Sequence, residues 1–201
     1  MSRIGRQIPH YEMVDISSVK AVFSPDKRFR YLLSMQFCDG LMASNRDKAV
    51  AVIMKNPSSA DEKMADATIR KVETFVFNNF LDVKYLHILN IFAFRATSPG
   101  DLNQAYKQSG MMAVKGEENE TYISKMTEKC DYLIIGWGSN SGIERQLYNG
   151  VVSSVSKLLN NKANKKCYCV AGGVATKEPL HGLMWGYNYE LLPATKYLID
   201  T

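Results

Sequence analysis

Ala49-Val50-Ala51-Val52-Ile53-Met54-Lys55-Asn56-Pro57-Ser58-Ser59 decides how this chain is read. Residues 49–54 are apolar without alternation, then a lysine and an Asn-Pro turn signal follow at once. A strand apolar at successive positions is buried on both faces, which a parallel sheet covered by helices requires and an open antiparallel sheet does not. Asn-Pro marks the place where such a strand empties into a loop.

The same grammar recurs on the C-terminal side. From Asp66 the apolar positions Ile69, Val72, Val76 and Phe80 recur at helical spacing, with Asp66 placed to cap the first turn. Tyr85–Phe92 is a second buried strand, followed by a loop through Arg95-Ala96-Thr97-Ser98-Pro99-Gly100 and two helical stretches, Leu102–Lys107 and Glu117–Glu128. Asp131–Trp137 is a third strand. The next helix sets Ile143, Leu147, Val151, Val155 and Leu158 on one stripe, and Lys166–Ala171 is a fourth strand opening into Gly172-Gly173. Alternation of this kind predicts a three-layer α/β/α domain with a mostly parallel central sheet.

Upstream, Lys20–Ser24 and Arg28–Phe37 are β-rich runs joined by Pro25-Asp26-Lys27, which predicts a β-hairpin. Residues 1–18 are read as an N-terminal extension and 19–201 as a single α/β domain.

Composition narrows the classes. The 201 residues are 46% hydrophobic and 22% charged, ordinary globular values. No apolar run approaches the ~20 residues of a membrane span, and the first residues lack the apolar core of a secretory signal, so a cytoplasmic location is expected. Cys38, Cys130, Cys167 and Cys169 are spaced too irregularly for a disulfide framework or a zinc site. With no P-loop, no Gly-x-Gly-x-x-Gly and no repeated histidine–carboxylate spacing, chemistry without cofactor or metal is expected. The net charge of +5 favours polyanionic partners, although the cations are scattered apart from a short cluster at Lys162–Lys166.

Several stretches carry a family resemblance: Arg30-Tyr31, Asn-Pro-Ser-Ser-Ala-Asp at 56–61, Asp-Ala-Thr-Ile-Arg at 66–70, Asn-Ile-Phe-Ala-Phe-Arg-Ala-Thr at 90–97, Glu118-Asn119 and Trp137-Gly138. In these the chain resembles the bacterial and phage family known as domain of unknown function 1643. The family's closing Gly-x-Pro-x-His-Pro-Leu-Tyr is altered here to Glu178-Pro179-Leu180-His181-Gly182-Leu183-Met184-Trp185. A fainter likeness, of order more than identity, is to the uracil-DNA glycosylase superfamily. Asn56-Pro57 falls where its first catalytic loop would, and His181-Gly182-Leu183 where its nucleotide-gripping loop would.

That second resemblance implies a DNA glycosylase-like enzyme, hydrolysing the N-glycosidic bond of an unusual or modified nucleobase in DNA. The catalytic set this suggests is Asn56 orienting a water, Asp61 or Asp66 serving as base or as cation stabiliser, and His181 donating to the departing base or a phosphate. In open α/β sheets ligands bind beyond the carboxyl ends of the strands. This rule adds Pro57, Ser58, Ser59, Asp66, Asn90, Phe92, Arg95, Thr97, Asn119, Trp137 and Gly138 as candidate substrate contacts. Arg95 with Thr97 suits a phosphate or carboxylate, and Phe92, Phe94 and Trp137 suit a stacked base. Each has a structural counterpart: Asn56-Pro57 as a turn opener, Asp66 as a helix cap, Arg95 in an ion pair, and the aromatics as core. The expected partners are DNA and a nucleobase or nucleotide in the pocket. Two rivals remain: a nucleotide or nucleoside hydrolase or transferase acting on a free small molecule, and a non-catalytic DNA-binding protein.

Overall fold

The strand that opens the reading is β3, Lys48–Met54, with five consecutive buried residues from Val50. Its side chains divide between two cores. Val50, Val52 and Met54 join one hydrophobic cluster, while Ala51 and Ile53 join the other, so both faces of the strand are buried.

In the computed structural model, residues 6–38, 46–160, 166–171, 177–194 and 197–198 are described. The element order is β1 (Val14–Phe23), β2 (Arg30–Phe37), β3, α1 (Ala67–Asn79), β4 (Val83–Asn90), α2 (Pro99–Ser109), α3 (Met112–Lys115), α4 (Asn119–Lys129), β5 (Tyr132–Ile135), α5 (Arg145–Asn160), β6 (Lys166–Ala171), a 3-10 turn at Gly182–Met184, and β7 (Glu190–Pro193). The seven strands form one sheet in the order β1-β2-β4-β3-β5-β6-β7. β4, β3, β5 and β6 run parallel, whereas β1 pairs with β2, β2 with β4, and β6 with β7 in antiparallel fashion. The sheet is therefore mixed, with its four central strands parallel. Parallel pairing is confined to the strands linked through helices, and antiparallel strands flank them on both sides.

Helix α1 packs on one face through Ile69, Val72, Phe75 and Val76. Helices α4 and α5 pack on the other through Ile123, Leu147, Val151 and Val155, and Leu159 rather than Leu158 completes the α5 stripe. Asp66 caps α1, accepting from the Thr68 and Ile69 amides at 2.8 and 3.0 Å. None of the described helices is long and apolar enough to cross a membrane.

Residues before Lys20 pack onto the sheet and α1. β1 starts at Val14, Ile8 forms a bridge with Ala65, and His10 is buried against α1. His10 Nδ1 lies 2.5 Å from Glu73 Oε1, and Nε2 faces the Asp61 carbonyl at 3.1 Å. Both ring nitrogens thus meet acceptors, a setting that suits the imidazolium. Burial alone would lower the His10 pKa, but the bond and charge of Glu73 outweigh it and raise it above 6.5. His87, by contrast, is a satisfied core histidine on β4, with Nδ1 2.8 Å from Ser34 Oγ and its pKa depressed to about 4 by burial.

A raised histidine pKa stabilises the fold fully below the ordinary value of 6.5, and that contribution is lost as pH rises through the folded-state value. Thermal unfolding at pH 6 and pH 8 should therefore show a loss at the higher pH attributable to this pair. Glu73→Gln should cost about 1.5–3 kcal/mol at pH 6 and flatten the dependence. An unchanged pH profile in that variant would contradict the pairing.

Candidate functional site

The chain leaves β3 through α1 to reach β4 on one side, then returns past β3 through α2–α4 to reach β5 on the other. The loops after β4 and β5 therefore diverge from the carboxyl end of β3, which opens a crevice at this switch point. Among the described residues, two cavities lie at this edge. One lies on the β3–β4 side and the other on the β3–β5 side.

The first cavity, about 520 Å³, is lined by Lys27, Arg28 and Arg95 together with Pro57–Ser59, Phe94, Ala96 and Thr97. Three cations and no carboxylate line it. The turn between β1 and β2 reaches this place because the Arg95 amide donates to the Arg28 carbonyl at 2.9 Å and Phe29 bridges to Phe94. Arg95 lies 5.0 Å over the Phe23 ring and donates through Nη1 to the Lys27 carbonyl at 3.3 Å, while its buried Nε has no partner. Arg30, 1% exposed, donates to the Ala60 carbonyl at 2.7 Å. Desolvation pulls its pKa down to about 10 against the opposing charge of Asp66.

The second cavity, about 420 Å³, is lined by Lys55, Gly138, Ser139, Glu178, His181 and neighbours. His181 precedes the 3-10 turn, and its Nδ1 accepts from the Leu183 amide at 3.2 Å. Burial first, and the Lys55 charge second, push its pKa down to about 4 despite Asp66. The ring is thus neutral at pH 7, and with Nδ1 accepting, the proton sits on Nε2. Trp185 anchors this loop by donating to the Leu180 carbonyl at 2.9 Å and packing on Phe75 at 5.0 Å. Gly138 has φ +69°, and a Cβ there would stand 2.7 Å from His181 Cβ, so only glycine allows the β5 loop and the histidine to meet.

Seven of the predicted residues line these two cavities, and Asn56, Asp61, Asp66, Asn90, Phe92, Asn119 and Trp137 line neither. Asn56 joins the β3 and β4 loops, its amide nitrogen donating to the Pro57 and Ala96 carbonyls at 3.3 Å each. Pro57, Ser58, Ser59, Arg95 and Thr97 line the first cavity, and Gly138 and His181 the second. Ser58 donates to the buried Asp66, and Thr97 donates to Asp101 at 2.7 Å, so both hydroxyl protons are engaged. Asp61 lines neither cavity. Its Oδ1 closes a turn by accepting from the Lys63 and Met64 amides at 2.8 and 2.9 Å. Phe92 and Trp137 lie in the core, where a base cannot stack on them. Asn119 is fully buried and donates to the Asn90 carbonyl at 2.9 Å, holding the end of β4 from beneath. Gly172 and Gly173, and all of the basic cluster except Lys166, lie outside the described residues.

Sequence reasoning missed Lys27, Arg28 and Lys55. Lys55 is 8% exposed and, among the described residues, forms no ion pair and donates no hydrogen bond. Its signal was visible as a lysine directly after an apolar run, where the chain has not yet left the sheet.

Fold and edge together define an α/β protein with cavities at the carboxyl ends of its parallel strands. A family model described as "Protein of unknown function (DUF1643)" matches residues 30–183, and the chain belongs to that family. No curated protein and no solved structure matches it.

Gly138→Ala should displace the His181 loop. The left-handed backbone costs about 1–2 kcal/mol for a non-glycine residue, and the contact with His181 adds to it. A lowered melting temperature together with a His181 pKa moved back toward 6.5 is the expected outcome. An unshifted His181 would show that the two loops are independent.

Proposed function

We propose that the protein is a DNA glycosylase-like enzyme that hydrolyses the N-glycosidic bond of an unusual or modified nucleobase, on a uracil-DNA-glycosylase-like three-layer domain. The observation that carries this reading is His181, a neutral imidazole with its proton on Nε2, lining a cavity at the sheet's switch point. Glycosidic cleavage develops positive charge on the sugar and negative charge on the departing base. A fixed neutral N–H donor stabilises that base without being consumed as an acid, and it acts best in a site where water does not compete.

Asn56 supplies the opposite function. Its amide nitrogen is taken by two carbonyls, so the side-chain oxygen is the atom that accepts from an attacking water. Arg28 and Arg95 serve the DNA phosphates from the neighbouring cavity, where no lining carboxylate opposes them. Asp61 drops out of the catalytic set because its carboxylate holds a turn. Asp66 acts as a cap that orients Ser58 and α1.

Incubation with duplex and single-stranded DNA carrying varied modified bases, followed by alkaline cleavage at abasic sites, tests the reading. His181→Ala should lower cleavage by about 10²–10⁴ while the fold persists with a lowered melting temperature, since the variant also loses the bond to the Leu183 amide. Because His181 is neutral down to about 4, the rate should show no histidine step near pH 6.5. Arg95→Gln should weaken DNA binding and reduce its salt dependence. Hydrolysis of free nucleotides alone would favour the small-molecule enzyme, and DNA binding without cleavage of any base the non-catalytic protein.

A further inference from the structure

We infer that Lys55 is a carbonyl-reactive amine whose substrate is the ring-opened aldehyde of an abasic deoxyribose, so that the protein also cuts the DNA strand at abasic sites. The choice of aldehyde rests on the glycosidase reading; the reactivity of the lysine rests on its surroundings. Lys55 directly follows β3, which has parallel neighbours on both sides, and it lines the second cavity beside His181 and Glu178.

A buried lysine ordinarily meets a carboxylate, because an unpaired ammonium loses its hydration without return. Lys55 has no such partner among the described residues, although it is 8% exposed. His181 beside it is neutral and supplies no counter-charge. Burial is the cause that lowers the Lys55 pKa, which enlarges the share of nucleophilic amine near neutral pH. The cavity of about 420 Å³ has the exposed Ser139 and Met184 in its lining and is room enough for a sugar.

The step balances without a co-reactant. The Lys55 nitrogen bonds to C1′ of the aldehyde, and the carbonyl oxygen leaves as water, giving a protonated imine. Glu178, the carboxylate lining this cavity, takes a proton from C2′. The electron pair moves to C3′, and the C3′–O bond breaks to release the 3′ phosphate. Water then hydrolyses the unsaturated imine and restores the amine.

An oligonucleotide carrying one preformed abasic site, incubated with the full chain and borohydride, reads the imine directly. The hydride reduces it to a stable secondary amine. A covalent protein–DNA product with the modification on Lys55 is expected, its yield rising with pH as the amine loses its proton. Lys55→Arg keeps the charge and should lose the product, and Lys55→Met should lose it as well. Melting temperatures confirm that both variants fold. No product from the folded wild type, or product mapped to another amine, overturns the proposal and leaves Lys55 as a cationic anchor. Because the abasic site is supplied ready-made, trapping without base release would retain the inference and remove the glycosidase reading. Base release without trapping would do the reverse.

Discussion

β3 is enclosed on every side. β4 and β5 satisfy both of its edges, and the two hydrophobic clusters cover both of its faces. A strand held in this way has no freedom of register, since a one-residue slip would exchange Val52 and Ile53 between cores that are already filled. The atoms that follow Met54 are consequently placed by the whole domain. Lys55 and Asn56 emerge where the α1 connection goes one way and the β5 loop the other, and the position of the candidate site follows from that constraint.

Buried polar groups around this strand end fall into two kinds. Asp66 and Glu73 have partners that explain them, a cap and His10, and Asn119 has one in part, its amide nitrogen holding the end of β4 while its buried Oδ1 has no partner. Lys55, and in part Arg30 and Arg95, do not, since the buried Nε atoms of both arginines lack an acceptor. Core polar groups without partners cost stability, and their gathering at one edge of the sheet is where function outweighs that cost. The two cavities differ in the charge they invite. The one lined by Lys27, Arg28 and Arg95 favours anions, while the one at His181 offers a neutral donor and a single lysine.

Much of this was legible in the residues. Uninterrupted apolar runs marked β3, β4, β5 and β6, and the spacing from Asp66 marked α1 together with its cap, because burial on two faces and one-sided helical burial leave different periods. Antiparallel β7 was missed, since Glu190–Pro193 is a short edge strand with one half-buried residue and no run to read. The place of residues 6–18 rests on long-range contacts, the Ile8–Ala65 bridge and the pairing of His10 with Glu73 among them, which no local pattern announces. At the site, glycine at 138 and histidine at 181 were readable as loop residues, but their contact depends on the β5 loop meeting the last turn. Phe92 and Trp137 looked like platforms because strand ends point to ligands, yet their side chains turn inward.

The neutral His181 donor is the hinge of the functional account, and nitrogen NMR of the imidazole measures it directly. In ¹⁵N-labelled protein at pH 6, His181 should show a neutral ring with the proton on Nε2 and Nδ1 unprotonated, unlike His10, which should be charged. A charged His181 at that pH, or a neutral ring with the proton on Nδ1, would contradict the account.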